Sequence, residues 1–173
     1  MKRVFFILGI SLLIMSSFDA KGEDDYFSFP ELEKYVGTWQ WQSKDSVFTI
    51  ILTKVVVTVE RRDDFTPGFS LDALVGWHEL SVGGEVIQST MHLQTEELDY
   101  SAGSIKCLWD KDYNRVRVTS FKDIIAGRSA GNGYLEFNDD KNLVLNVTPL
   151  RNLFDRNAPK YSLPRNVVLK KIE

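Results

Sequence analysis

The stretch Tyr35-Val36-Gly37-Thr38-Trp39-Gln40-Trp41 opens a long run of predicted β-strands. After it, apolar and polar residues alternate in about nine short segments, which is the period-two pattern of strands with one buried face. Turn residues separate neighbouring segments, as at Gly83-Gly84 and again over residues 138–142. Glycine pairs and Asn/Asp clusters at this spacing are typical of β-hairpins. The sequence therefore predicts an all-β protein built mainly from consecutive hairpins, with little helix.

Two architectures are open to such a meander. About eight to ten strands can close into an up-and-down barrel, which removes exposed strand edges. A two-sheet sandwich would show the same alternation, but sandwiches usually include longer crossing connections. The hairpin order therefore favours an antiparallel up-and-down β-barrel over residues 35–173, after an acidic lead-in over residues 21–34.

The segment from Val47 to Glu60 changes phase partway along. Its apolar residues occupy even positions up to Leu52 and odd positions from Val55 onward. Because successive side chains of a strand point to opposite faces, this change predicts a β-bulge or sharp bend near Thr53-Lys54. Two strands joined by a tight bend would give the same pattern.

Residues 1–20 have the composition of a signal peptide. Lys2-Arg3 supply a positive start, and the apolar stretch from Val4 to Met15 is shorter than the ~20 residues that a transmembrane helix needs. We predict cleavage near Ala20, with an uncleaved N-terminal anchor as the alternative. The mature protein is then expected to be exported, periplasmic or secreted, and to have no transmembrane span.

Charge and cysteine content exclude several classes of protein. The 173-residue chain has 21 Lys and Arg against 24 Asp and Glu, a net charge of −3, and no concentrated basic stripe. Nucleic-acid binding needs clustered positive charge, so no nucleic-acid partner is expected. Cys107 is the single cysteine. No intramolecular disulfide can therefore form, and the apolar neighbours of Cys107 predict a buried side chain.

The sequence contains no motif for catalysis or metal binding. His78 and His92 lack the spacing of a metal-binding pair, and His78 is interpreted as a half-buried structural or surface residue. The acidic clusters lie in predicted turns without the alternating ligands of a calcium loop. The glycine-rich residues 127–133 lack the ending of a phosphate-binding loop. We therefore expect a protein that is not an enzyme, with no catalytic residue, metal or cofactor.

Four stretches of the chain carry a resemblance to a known family. They are residues 35–41, Phe48-Thr49-Ile50-Ile51-Leu52, Leu74-Val75-Gly76-Trp77-His78-Glu79 and Pro164-Arg165-Asn166-Val167-Val168-Leu169-Lys170-Lys171. With them the chain resembles the lipocalin-like (calycin) proteins, and more closely a lipocalin-like family of small exported bacterial proteins of unknown function. The resemblance implies a lipocalin-like barrel in which Trp39 packs as a plug across the closed end. It also implies a cationic partner for this indole, either Arg165 or Lys170.

Aromatic residues supply the candidate ligand site. Five of them are candidates to line a cavity in the barrel: Trp41, Phe48, Trp77, Trp109 and Tyr134. The alternative is that these side chains fill the interior, because small barrels are often packed solid. We predict a protein that binds a small hydrophobic or amphipathic molecule, at the end of the barrel opposite Trp39.

Residues 149–164 form a predicted connection that is longer than most in compact domains. Such loops often act as lids or recognition surfaces. Four of its side chains are candidates for closing the barrel or contacting a partner: Arg151, Phe154, Arg156 and Lys160. The alternative function is therefore a packed barrel that acts as an interaction module or inhibitor, with a protein partner bound through this loop.

Overall fold

The computed structural model describes residues 25–60, 68–94, 98–139, 141–149 and 160–172. The predicted signal peptide lies outside these residues, as do residues 21–24 of the predicted lead-in. Within the described ranges the chain forms ten β-strands and two short 3-10 helices, Pro30–Tyr35 and Met91–Leu93. The strands are β1 (Asp25–Phe27), β2 (Gly37–Gln42), β3 (Ser46–Val59), β4 (Phe69–Val82), β5 (Glu85–Ser89), β6 (Ile105–Asp110), β7 (Arg115–Asp123), β8 (Arg128–Phe137), β9 (Asn142–Pro149) and β10 (Asn166–Lys171).

Eight of these strands close into an antiparallel up-and-down barrel. Hydrogen-bonded neighbours follow the order β4-β3-β2-β10-β9-β8-β7-β6, and β6 pairs again with β4. Every barrel strand therefore has a neighbour on both sides, which leaves no barrel edge open. The predicted barrel is confirmed, and the sandwich alternative is wrong.

The other two strands are added to the edge of β4 that also carries β6. β1 pairs in parallel with Phe69–Leu71, β6 pairs with Ala73–Gly76, and β5 pairs with residues 79–82. The β4–β5 hairpin turns at Gly83 and Gly84, whose φ angles of 60° and 86° lie in the region that favours glycine. The predicted Gly83-Gly84 turn is present, but β5 lies beside the barrel wall rather than within it.

The bulge predicted near Thr53-Lys54 is wrong. β3 pairs with β4 in one unbroken register, from Ser46 opposite Val82 to Val59 opposite Phe69. The phase change has another cause: in the second half of β3 the buried residue, Val55, points outward, whereas Val56 on the other face is exposed. Val55 packs there in a small cluster on the outer face of the barrel, with Ala73, Val75 and Trp77 as its other buried members. The alternation of apolar and polar residues indicates which face of a strand is buried, and in β3 the buried face changes while the strand continues.

Buried side chains from every barrel strand meet in the interior. A single cluster of buried hydrophobic residues includes members from all eight barrel strands, among them Trp39, Phe48, Phe121 and Leu135. The ring centroids of Phe48 and Phe121 are 6.1 Å apart, so aromatic side chains of different strands meet within the barrel. This arrangement favours the packed-interior alternative over a ligand cavity along the barrel axis.

The start of β2 marks one end of the barrel, which we call the Trp39 end. The 3-10 helix Pro30–Tyr35 precedes it, and Tyr35 is buried together with Leu32. The indole Nε1 of Trp39 donates a hydrogen bond of 2.8 Å to the backbone oxygen of Tyr35. Trp39 is 1% exposed, so its side chain is buried at this end of the barrel.

A buried carboxylate holds the N-terminal segment against the Trp39 end. Asp72 accepts hydrogen bonds from the Tyr26 hydroxyl (2.5 Å) and the backbone N of Phe29 (2.9 Å), and Lys54 Nζ lies 3.7 Å from it. Burial acts to raise the pKa of Asp72, but these hydrogen bonds and the Lys54 charge outweigh it and lower the pKa. The ionised Asp72 therefore ties residues 25–29 to the barrel.

Replacing Trp39 should destabilise the fold in proportion to the contacts removed. Trp39→Ala leaves a cavity and is expected to lower the free energy of unfolding by about 3–5 kcal/mol. Trp39→Phe keeps an aromatic ring but loses the hydrogen bond to Tyr35, and should cost about 1–2 kcal/mol. Equilibrium urea unfolding measures both. Trp41→Phe, at a half-buried position, is the control, and an equal loss there would contradict a special role for Trp39.

Candidate functional site

The five aromatic residues predicted to line one cavity are not brought together. Phe48 is fully buried in the barrel interior, whereas Trp77 and Tyr134 lie on its outer face. Trp41 and Trp109 face inward and are half-buried, but they lie next to turns at opposite ends of the barrel. The prediction of a shared aromatic pocket is therefore wrong. Alternation places neighbouring tryptophans on different faces, and the antiparallel order separates the rest.

The lid prediction falls largely outside the described residues. This applies to Arg151, Phe154 and Arg156, whereas Lys160 is described and exposed. Residues 160–165 lie at the end opposite Trp39, where Leu163 is buried in the core.

The cationic partner of Trp39 is Lys171. Its Nζ lies 5.5 Å from the Trp39 ring centroid, and the two residues are directly opposite in the β10–β2 pairing. Lys170, one position earlier on the opposite face of the strand, pairs with Gln40. Arg165 lies before β10 starts, at the other end of the barrel. The predicted choice of Arg165 or Lys170 is therefore wrong by register, although a basic residue at the end of the last strand does cover the indole.

The Trp39 end carries an open groove of about 970 Å³. Residues from the 3-10 helix, β2, the β8–β9 connection and β10 surround it. We call it the lysine groove, and its lining residues are Lys34, Trp39, Phe137, Asp139, Lys141, Asn142, Lys170 and Lys171. The functional prediction placed the ligand at the opposite end, yet this groove lies beside the plug.

Aromatic rings form the floor of the lysine groove. The Trp39 and Phe137 rings are edge to face with centroids 5.6 Å apart. Lys34 Nζ lies 5.2 Å from the Phe137 centroid and 5.3 Å from that of Tyr35. The ammonium groups of Lys34 and Lys171 therefore lie over aromatic rings, an arrangement that presents positive charge and hydrocarbon to the same ligand.

The charge of the lysine groove is strongly unbalanced. Four lysines line it against a single described carboxylate, Asp139. That carboxylate already accepts hydrogen bonds within its turn, from the Asn142 side chain (2.6 Å) and the backbone N of Lys141 and Asn142 (2.8 Å each). Among the described residues, none of the four lysines makes an ion pair. A positive potential therefore remains at this end of a chain whose net charge is −3.

A second group of polar side chains is buried near the opposite end. The ring of His78 lies in the interior, 5.2 Å from that of Phe121 between centroids. His78 Nδ1 is 2.9 Å from Ser104 Oγ, which is itself 2.9 Å from Thr90 Oγ1. All three polar residues are almost completely buried. The expectation that His78 is half-buried or on the surface is therefore wrong.

A neighbouring set of hydrogen bonds joins three connections to the barrel. The Gln88 amide donates to Ser162 Oγ (3.1 Å) and accepts from the backbone N of Ile124 (3.2 Å). Asp123 accepts from the backbone N of Ala126 and from the Ser162 hydroxyl. β5, the β7–β8 turn and residues 160–165 are thereby tied together.

The group formed by His78, Ser104 and Thr90 is uncharged at neutral pH. Burial lowers the pKa of His78 to about 4, against the partial opposing effects of Gln88 and Asp123. Ser104 is 2% exposed, so neither member of the Ser104–His78 pair lies in an open cleft. Cys107 is fully buried, as its neighbours predicted, and burial raises the pKa of its thiol.

Within the described ranges, no group of three or more His, Cys, Asp or Glu side chains is arranged to hold a metal ion. No helix in this part of the chain is long and apolar enough to cross a membrane.

Sequence reasoning missed the lysine groove. Lys34, Lys141 and Lys171 lie far apart in the chain, and each is surrounded by ordinary polar sequence. The one available signal was Lys170-Lys171 at the end of the last strand. Choosing between its two members requires the β10–β2 register, which alternation within one strand does not supply.

Comparison with known proteins places the chain in a family. A family model described as "Family of unknown function (DUF6705)" matches residues 1–172. No curated protein and no solved structure gives a significant match.

The buried His78 makes stability depend on pH. Its ordinary pKa of 6.5 falls to about 4 in the folded protein, so between these values the unfolded state binds a proton that the folded state does not. The free energy of unfolding should therefore fall as pH drops from about 6.5 to about 4, by roughly 3 kcal/mol. Urea unfolding at a series of pH values measures this slope.

His78→Gln removes the titrating ring and should flatten the slope in that window. His92→Gln, at an exposed position, is the matched control and should keep it. Equal slopes for wild type and His78→Gln would contradict the assignment to His78. Below pH 4, loss of stability is expected in all variants, because Asp72 and Asp123 have lowered pKa values and must become protonated.

Proposed function

The chain belongs to the DUF6705 family of unknown function, and we propose that it is a non-enzymatic protein that binds a small anionic amphipathic molecule. The lysine groove is the proposed site. The single observation that carries the proposal is the set of four lysines, without ion-pair partners among the described residues, in one groove with the rings of Trp39 and Phe137.

The two parts of the lysine groove select two parts of the ligand. Ammonium groups attract an anionic head group, and the positive potential raises its local concentration near a protein that is otherwise acidic. Phe137 and the methylene stems of the lysines offer apolar surface to a short hydrocarbon or aromatic tail. An amphipathic anion satisfies both, whereas a neutral sugar or a cation satisfies at most one.

The filled interior narrows the predicted ligand class. A wholly hydrophobic molecule would need an enclosed cavity to leave water, and the buried core to which all eight barrel strands contribute does not favour one. A ligand held at the surface must keep a polar part in water. For this reason the proposal is restricted to amphipathic anions.

We also propose that the protein is exported and is related to lipocalin-like barrels. The signal-peptide composition of residues 1–20 supports export to the periplasm or the outside of the cell. The eight-stranded up-and-down barrel, with Trp39 under Lys171 at one end, supports the lipocalin-like relationship.

A protein partner is the second candidate function, and one feature favours it. Ile87, Ile124 and Ile125 are large exposed apolar residues at the end opposite Trp39. The hydrogen bond from Ile124 N to Gln88 holds the β7–β8 turn beside β5, so these side chains are neighbours of the anchored residues 160–163. An exposed apolar group of this kind suits a protein interface.

The lysine groove is tested by calorimetric titration with laurate. We expect laurate to bind, and the double variant Lys34→Gln/Lys171→Gln to bind about tenfold more weakly because two ammonium groups are lost. Raising the salt concentration should weaken binding to the wild type more than to the variant. Dodecyl maltoside, with a similar tail and an uncharged head, should bind much more weakly than laurate.

The matched control is Lys44→Gln/Lys122→Gln, which removes two exposed lysines outside the groove. It has the same net charge as the groove variant and should bind laurate like the wild type. Equal losses in both double variants would show general electrostatics and overturn the proposed site. Native mass spectrometry of the protein purified from its own cell envelope would then identify any other ligand that it carries.

The second candidate is tested by exchanging an exposed apolar residue for a charged one. If a partner binds at the end opposite Trp39, Ile87→Lys should abolish its capture from envelope extracts, while laurate binding is unchanged. Capture that survives Ile87→Lys would remove the reason for placing a partner there.

A further inference from the structure

We propose a second ligand site, on the outer face of β7, β8 and β9, which binds the carboxylate of a hydroxyl-rich small molecule such as an acidic saccharide. We call it the arginine site. It is a concavity of about 360 Å³ whose lining includes Arg115, Arg117, Asn132, Tyr134, Asn146 and Thr148. None of these residues lines the lysine groove, so the inference does not depend on the proposed function.

Arg115 packs between two tyrosine rings and makes no ion pair with any described residue. Its guanidinium carbon lies 4.4 Å from the ring centroid of Tyr134 and 4.7 Å from that of Tyr113. Its Nε is buried and has no hydrogen-bond partner in the described part of the chain. Asp110 is opposite Arg115 in the β6–β7 pairing, yet the two form no ion pair. A planar cation that is positioned and partly desolvated in this way is ready for an anion.

The strand register places the other polar side chains beside it. Arg117, Tyr134 and Asn146 form one row across the three strands. Asn132 and Thr148 are directly opposite each other in the next row. Within the described ranges, no hydrogen bond between side chains engages any of these five residues, and Arg117, Asn132 and Thr148 are exposed.

The composition of the arginine site selects its ligand. Two arginines against one carboxylate, Asp110, leave a net positive charge, and a guanidinium can donate two parallel hydrogen bonds to a planar carboxylate. The amides of Asn132 and Asn146 and the hydroxyl of Thr148 suit a ligand with several hydroxyl groups. No Val, Leu, Ile or Met side chain is among the lining residues, which disfavours a lipid or an apolar peptide as the ligand.

The arginine site is tested by titrating the full protein with methyl glucuronide, methyl glucoside and glucose 6-phosphate. We expect the glucuronide to bind and the uncharged glucoside to bind at least about tenfold more weakly, because the carboxylate contact is lost. Glucose 6-phosphate carries an anion that a guanidinium can also bind with two hydrogen bonds, so this arm separates the two head groups: tighter binding than that of the glucuronide would assign the site to a phosphate. Calorimetry measures the affinities, and the NMR signal of the Arg115 Nε–H should shift only on binding of the anionic sugars.

Arg115→Lys keeps the charge but removes the planar pair of donors, and should weaken glucuronide binding about tenfold. Arg165→Lys, at an exposed arginine outside the site, is the matched control and should change nothing. Lys34→Gln/Lys171→Gln should bind glucuronide normally, which separates this test from that of the lysine groove.

Four outcomes would overturn the proposal: no glucuronide binding, equal binding of the glucoside, tighter binding of glucose 6-phosphate, or an unaltered affinity in Arg115→Lys. If Arg115→Lys fails to fold, the Arg115 Nε–H signal in the wild type decides, because a purely structural arginine would not respond to the sugar.

Discussion

The pairing of β4 with β6 is the contact on which the rest of the structure depends. Residues 73–76 pair with residues 105–108, and this short ladder closes the sheet into a barrel. Gly76 lies in this ladder, and on its other side, towards β3, a Cβ would lie 2.5 Å from the Ile51 carbonyl oxygen. Because β6 takes the middle of the β4 edge, β1 and β5 pair with its two ends. This sharing of one β4 edge among β1, β6 and β5 sets the arrangement of the core, the Trp39 end and the buried His78 cluster.

Both proposed binding sites lie on the outside of the barrel, because core side chains occupy its interior. Hydrophobic side chains from all eight barrel strands form the core, and charged side chains gather on surfaces built where elements meet. The lysine groove forms where the 3-10 helix, the β8–β9 connection and the end of β10 converge on Trp39. The outer face of β7–β9 brings arginines and amides together through strand register alone. Both surfaces are positively charged on a protein that is acidic as a whole.

The strand pattern was predictable because alternation and turn composition are local properties. The same reasoning failed where the burial of a side chain depends on a segment that is distant in sequence. The phase change near Thr53-Lys54 comes from the outer cluster of Val55 and Trp77, which needs a covering segment distant in sequence. The partner of Trp39 was displaced by one residue, from Lys170 to Lys171, since the register between the first and last barrel strands is set by closure. Candidate site residues were therefore predicted less well than strands.

The amino-acid sequence by itself determined an all-β chain of consecutive hairpins with a Gly-x-Trp start, because period-two patterning and turn residues act over a few neighbouring positions. It also determined that His78 and Cys107 have no metal-binding or disulfide partner within a recognisable motif. Tertiary structure alone decided that the aromatic residues fill the core or face outward instead of lining a pocket. It also decided which lysines gather around Trp39. The physical reason is that closing the barrel fixes the inward face and the register of every strand at once.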